Sequence, residues 1–196
     1  MNIVILGKGN MGKPISALAQ KAGHNVQCFG SEGAPIDALG KADIVVIAVK
    51  YPQALEVAGD PAVARALSGK LVIDVTNPLA DDFMSLTVGH TSSAAEEIAG
   101  RLPGARVVKA FNTVFAAVIA MRAEGREVSV PVFVAGDDED AVRAVVALVQ
   151  AFGFEPIPAG ALKNARYLEP MTEQLIQLGY GLGQGDRIGF GVVRAV

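Results

Sequence analysis

Short runs of apolar residues recur along the chain, each closed by turn residues and followed by a stretch with helical periodicity. They are Asn2–Leu6, Val26–Phe29, Ile44–Val49, Leu71–Val75, Arg106–Ala110 and Pro131–Ala135, with a last short run at Phe154–Ile157. Val and Ile dominate several of them with little polar alternation, the mark of parallel strands buried on both faces. The stretches between predict helices over Met11–Ala22, Pro61–Leu67, Ser93–Arg101, Val114–Met121 and Asp138–Phe152. Strand alternating with helix predicts an α/β fold built on a doubly wound parallel sheet.

Two helix starts are well marked. Ser93 with Glu96 forms a capping box ahead of Ile98, and Asp137-Asp138-Glu139-Asp140 sets carboxylates on the positive end of the next helix. That acidic cluster reads as a cap and not as a metal site, since metal carboxylates converge from several segments. Leu162 to Tyr180 is predicted helical with an interruption at Pro170, and Gly181-Leu182-Gly183-Gln184-Gly185 is too rich in glycine to continue it.

Composition narrows the class. Apolar residues make up 51% of the chain and charged residues 19%, which excludes intrinsic disorder. With 17 basic against 20 acidic side chains the net charge is −3, so neither a nucleic acid nor an anionic membrane surface is an expected partner. The single cysteine, Cys28, excludes a disulfide framework and a Cys-built metal site, and no metal is expected. Met1 leads straight into Asn2-Ile3-Val4-Ile5-Leu6 without a charged leader, and Ile44–Val49 is far short of the ~20 residues a membrane helix needs. The expectation is a cytoplasmic, soluble protein.

Chemistry concentrates in Gly7-Lys8-Gly9-Asn10-Met11-Gly12, which follows the first strand and opens the first helix. A lone G-x-G-x-x-G is weak evidence; in a strand–turn–helix context it is the fingerprint of a dinucleotide site. Gly7 permits the tight turn, Gly9 lets a pyrophosphate approach the backbone, and Gly12 lets helix and strand pack closely. The helix start then offers unpaired N–H groups and partial positive charge to phosphate. NAD-preferring sites carry an acid at the end of the second strand. Gly30 stands there instead, followed by Ser31, while Lys8 projects from the first turn, and these features favour the 2′-phosphate of NADP. Glu32 pulls the other way.

No acid/base pair is evident. His24, beside Gly23, reads as a helix stop, His90 as a polar loop residue, and Cys28 as a small core residue, so no catalytic side chain is assigned.

Taken together, six ordered segments resemble the small NADP oxidoreductases that depend on the deazaflavin coenzyme F-420, and the reductase domain of the six-transmembrane metalloreductases. They are the glycine turn, Asp74-Val75-Thr76-Asn77-Pro78, Ser93-Ala94-Ala95-Glu96, Val107 to Thr113, Val132 to Asp138, and Ala159 to Glu169. The resemblance implies a Rossmann-type doubly wound parallel sheet over residues 1–153, with a small C-terminal helical extension, 154–196, packed on it. It also implies nicotinamide contacts from Ala48-Val49-Lys50 and from Asn77-Pro78. Ala110-Phe111-Asn112-Thr113 would lie where a second, flavin-like ring stacks on the nicotinamide. The chain departs from the family in two places: Glu32 replaces the Arg or Lys usual after the serine, and the second crossover, Gly30 to Asp43, has room for barely a helical turn around Pro35–Leu39.

The leading expectation is therefore an oxidoreductase moving hydride between NADP(H) and a small-molecule acceptor, either deazaflavin coenzyme F-420 or a flavin. That step relies on proximity and orientation and needs no general acid. The alternatives are an NADPH-dependent reductase of a small carbonyl or imine substrate, and a non-catalytic NADP(H)-sensing module. Carbonyl- and imine-reducing enzymes append a long all-helical domain, for which 154–196 leaves little room. Leu162, Leu168, Met171, Leu175, Ile176 and Leu178 give more apolar surface than one helix face needs, and with the resemblance this suggests a homodimer.

Overall fold

The apolar runs form seven strands in a computed structural model that describes residues 1–195. They are β1 (Asn2–Leu6), β2 (Asn25–Phe29), β3 (Ile44–Ile47), β4 (Leu71–Asp74), β5 (Arg106–Lys109), β6 (Val132–Gly136) and β7 (Pro156–Pro158), hydrogen-bonded in the order β2-β1-β3-β4-β5-β6-β7. The helices are α1 (Gly12–Lys21), α2 (Ile36–Lys41), α3 (Tyr51–Gly59), α4 (Pro61–Leu67), α5 (Ala94–Arg101), α6 (Ala116–Ala123), α7 (Glu139–Ala151) and α8 (Ala165–Ile176). Among the described residues no helix is long and apolar enough to cross a membrane.

Strand side chains alternate between two faces, and both are covered. Ile3 and Ile5 of β1 pack with Ile15 and Leu18 of α1, Ile119 of α6 and Val145 of α7. Val4 and Leu6 point the other way, onto Leu39 of α2, Ala54 of α3, Leu67 of α4 and Ile98 of α5. A sheet covered on both sides explains why the strands read as unbroken apolar runs. From β1 the chain goes outward to β2 and then crosses back to β3, so β1 and β3 flank the point where strand order reverses. Ligands bind beyond the carboxyl ends of the strands at such a point.

The sheet is not wholly parallel, as the pattern led us to expect. β6 runs antiparallel to β5, pairing Lys109 with Ala135 and Val108 with Gly136, and β7 then runs parallel to β6. Apolar periodicity marks a strand but carries no direction, so the reversal is silent in the sequence. Running the other way, β6 overlaps only the end of β5, and its first residues extend past the carboxyl edge of the sheet.

Nor does Pro170 interrupt the C-terminal helix: α8 runs continuously from Ala165 to Ile176. A proline removes one helical N–H, and here it lies on a half-exposed face while Leu168, Thr172 and Leu175 anchor the opposite one. The apolar residues of this segment are mostly covered within the chain, with Leu162, Leu168, Leu175 and Ile176 all buried. α3 has no forecast in the apolar pattern. Its start, Tyr51-Pro52, resembles a turn, yet proline is well accommodated in a first helical turn.

Both marked helix starts are caps. Ser93 Oγ accepts from Glu96 N at 3.2 Å and donates to the Glu96 carboxylate at 2.7 Å. Asp138 accepts from Ala141 N at 2.7 Å, and Asp137 accepts from Leu162 N at 2.9 Å. Arg166 of α8 grips Glu96 with two hydrogen bonds, of 2.8 and 2.6 Å. These bonds, with help from Ser93, hold the Glu96 carboxyl below its ordinary pKa. A depressed carboxylate adds stability that is present above its unfolded pKa and lost as pH falls through the folded one. Glu96→Gln is thus expected to lower the melting temperature at pH 7, with the gap to wild type closing as pH falls towards 3. A gap that stays constant over that range contradicts the assignment.

Candidate functional site

The ends of five strands, β2, β1, β3, β4 and β5, are laddered side by side by four backbone bonds. Gly7 N donates to Phe29 O at 2.7 Å, Ala48 N to Leu6 O at 2.7 Å, Val75 N to Ile47 O at 3.1 Å and Ala110 N to Asp74 O at 3.2 Å. This brings the glycine turn, Ala48–Lys50, Thr76–Pro78 and Ala110–Thr113 to one edge of the sheet.

The three fingerprint glycines do different work. Gly7 has φ +125°, and a Cβ there would run into the Ala48 carbonyl. At Gly12 a Cβ would collide with the Gly7 carbonyl. These two let turn, β3 and α1 close on one another. Gly9 has nothing within 4 Å of where a Cβ would stand, so its freedom serves no internal packing. Lys8, Gly9 and Asn10 are exposed around it, and Met11 is half-buried against the core.

At the other end of the edge lies an amide cluster. Asn112 Nδ2 donates to Asn77 Oδ1 at 3.0 Å, to Leu168 O at 3.1 Å and to Thr172 Oγ1 at 3.2 Å. Asn77 Nδ2 returns a bond to Asn112 O at 3.2 Å. All three contacts of Asn112 Nδ2 are with groups that can accept, which sets the amide orientation and turns Oδ1 away from them. Among the described residues, the buried side-chain oxygens without a protein partner are Thr76 Oγ1, Asn112 Oδ1 and Thr113 Oγ1. Buried polar atoms are almost always partnered, and three orphans from adjacent strand ends fit the polar substituents of a ring seated there. Those orphans, with the open backbone at Gly9, make this edge suited to a nicotinamide dinucleotide.

The remaining sequence-predicted residues fall as follows. Ala48 and Val49 are half-buried, and Pro78 and Ala110 are buried. Lys50 is exposed, its ammonium 5.5 Å from the centre of the Phe83 ring. Phe111 has φ +64°, uncommon for a bulky residue. Its ring is core, packed on Phe152 and Phe154 at 5.9 and 6.3 Å, so its backbone and not its ring reaches the edge. Ser31 is exposed, and Lys8 is ion-paired with Glu32.

Neither histidine sits among these groups. His24 follows α1 at the opposite end of the sheet, its N–H bonded to Ala19 O at 3.0 Å; burial and the nearby N-terminal ammonium hold its pKa below the usual value. His90 is exposed beside Arg166, Tyr167 and Phe190, in an open hollow on the flank of α8.

One feature escaped the sequence reading. Directly under the amide cluster, Lys109 Nζ lies 2.8 Å from Asp74, 2.7 Å from Glu169 and 2.5 Å from Thr76 O, all wholly buried or nearly so. Asp74 also accepts from Thr76 N at 2.9 Å, and Glu169 from Ala94 N and Ala95 N at 2.9 and 3.2 Å. Burial disfavours the ammonium, but the two carboxylates outweigh it and hold the Lys109 pKa above its ordinary value. Its three N–H bonds are all spent inside the protein. The available signal was a charge at the end of an otherwise apolar strand, in Leu71-Val72-Ile73-Asp74 and in Val107-Val108-Lys109, where an unpaired ion cannot be buried.

The chain is similar to known proteins over most of its length. A family described as "NADP oxidoreductase coenzyme F420-dependent" matches residues 30–78. The F420-dependent NADP reductase of Methanothermobacter marburgensis is 30% identical over 191 residues, covering 89% of this chain and 80% of that protein. Rat metalloreductase STEAP3 is 34% identical over 113 residues, 58% of this chain, and the match spans only 22% of that protein's length. Among solved structures, an Arthrobacter sp. FB24 protein described as a candidate F420-dependent NADP reductase superposes with a TM-score of 0.85 at 27% identity, covering 98% of this chain and 99% of that one.

Proposed function

The chain belongs to the family of coenzyme F420-dependent NADP oxidoreductases, and we propose that it transfers hydride directly between NADP(H) and a deazaflavin or flavin ring. The observation that carries this reading is the amide cluster. Asn112, its amide nitrogen held by three acceptors, keeps a carbonyl oxygen without a protein partner, as do the Thr76 and Thr113 hydroxyls from neighbouring strand ends, and neither histidine lies among these groups. Bound NADPH supplies the hydride, and the proton that completes reduction of the acceptor ring comes from solvent. The contribution of the chain is orientation: Gly9 and the start of α1 hold the pyrophosphate, and the amide and hydroxyl groups fix the ring plane. Lys109 is closed off as a proton donor by its own three partners.

Asn112→Ala removes the clamp and the fixed oxygen together, and is expected to lower kcat about tenfold or more with coenzyme F-420 or FMN as acceptor. His24→Ala and His90→Ala are expected to stay within about threefold of wild type, since neither side chain reaches the edge where orientation is set. The measurement is NADPH oxidation at saturating acceptor. A collapse in either histidine variant, with fold and NADPH binding intact, moves the protein to acid-assisted reduction of a carbonyl or imine.

A further inference from the structure

The end of β2 holds a carboxylate that the sequence register hides. Gly30 takes the place of the acid that grips ribose hydroxyls in NAD sites. Yet the chain turns at Ser31 and Glu32, and the Glu32 side chain folds back: its Oε2 lies 2.8 Å from where a Cβ of residue 30 would stand. The Lys8 side chain passes the same point, its Cδ 3.4 Å away, and its ammonium pairs with Glu32. A carboxylate two residues late in sequence therefore occupies the space of one at the strand end. Backbone groups of Gly30, then Lys8 and the backbone of Glu32 itself, pull its pKa down to about 2. It is ionised, and acts only as an acceptor.

Resting on the dinucleotide reading above, we infer that Glu32 and Lys8 form a two-way selector at the adenosine ribose, so that this chain takes NAD(H) as well as NADP(H). With NAD(H), Glu32 accepts from the ribose hydroxyls while Lys8 stays paired to it. With NADP(H), a 2′-phosphate cannot share that space with a carboxylate, so Lys8 transfers to the phosphate and Glu32 swings outward. Both side chains are about half exposed, at 51% and 54%. An exposed pair of this kind is weakly held, so it can open for the phosphate, while the displaced carboxylate remains close enough to reduce the preference for NADP(H).

The test is calorimetric titration of the full chain with NADPH and with NADH. Wild type is expected to prefer NADPH by less than about thirtyfold. Glu32→Gln keeps the shape and removes the charge, and should raise the NADPH-to-NADH affinity ratio at least about fivefold. Lys8→Ala should weaken NADPH and leave NADH within about twofold. A wild-type preference above that limit, or a Glu32→Gln ratio that moves less, overturns the selector. Failure of folded wild type to bind either nucleotide overturns the dinucleotide reading instead. Both residues are on the surface, so the variants are expected to fold.

Discussion

Replacing Gly9 by valine leaves the protein folded and lowers its affinity for NADPH at least about tenfold, ~1.4 kcal/mol or more. The expectation rests on a contrast within one turn. A side chain at position 9 meets nothing within 4 Å in the protein, so the fold gives no reason for glycine there. Only a ligand approaching the backbone does. At Gly12 the neighbour is a backbone carbonyl of the same turn, which cannot move aside. Gly12→Ala should therefore unfold or strongly destabilise the chain, whereas Gly9→Val should show wild-type thermal unfolding and impaired NADPH titration. Unchanged NADPH affinity in folded Gly9→Val removes the pyrophosphate from this turn. Parallel loss of stability in both variants shows instead that Gly9 is structural.

That contrast also marks how far the sequence can be read. The glycine spacing placed the turn on a strand–helix junction, and seven apolar runs located seven strands because burial on both faces leaves no polar alternation to confuse them. What stayed hidden depends on tertiary partners. The direction of β6 is set by its pairing with the end of β5. The continuity of α8 through Pro170 is set by the side chains anchoring its inner face. Glu32 read as a misplaced charge along the chain, and only the backward fold of its side chain places it over Gly30. In the site itself, Asn77 and Asn112 came from family likeness, but the bonds from Asn112 to Leu168 and Thr172 join elements far apart in sequence. Phe111 is the reverse case: adjacent to Asn112 in sequence, it turns its ring into the core.

Breaking the buried ion cluster beneath the site should cost a large part of the stability. Lys109→Met keeps the length of the side chain and removes the one cation between Asp74 and Glu169, both essentially without solvent contact. Removing one partner of a buried pair costs about 3–5 kcal/mol, because the remaining charge is buried without compensation. Here two carboxylates remain, and the variant must expose them, protonate them or unfold. Burial raises the Glu169 pKa even with Lys109 in place. Without the lysine, the folded-state pKa of Glu169 lies further above its unfolded value of about 4. The folded variant then binds more protons than the unfolded chain, so its stability falls as pH rises through that window and recovers as pH falls. In wild type the raised Lys109 pKa works at the other end: its contribution is complete below the unfolded lysine value and is lost as pH rises through the folded one. Urea unfolding of the two proteins should thus show a deficit that is large at pH 8 and smaller at pH 5. Adding Glu169→Gln to Lys109→Met should restore part of the stability at pH 8, since one of the stranded charges is gone. A deficit that is the same at both pH values, and untouched by the second substitution, reduces the cluster to ordinary packing.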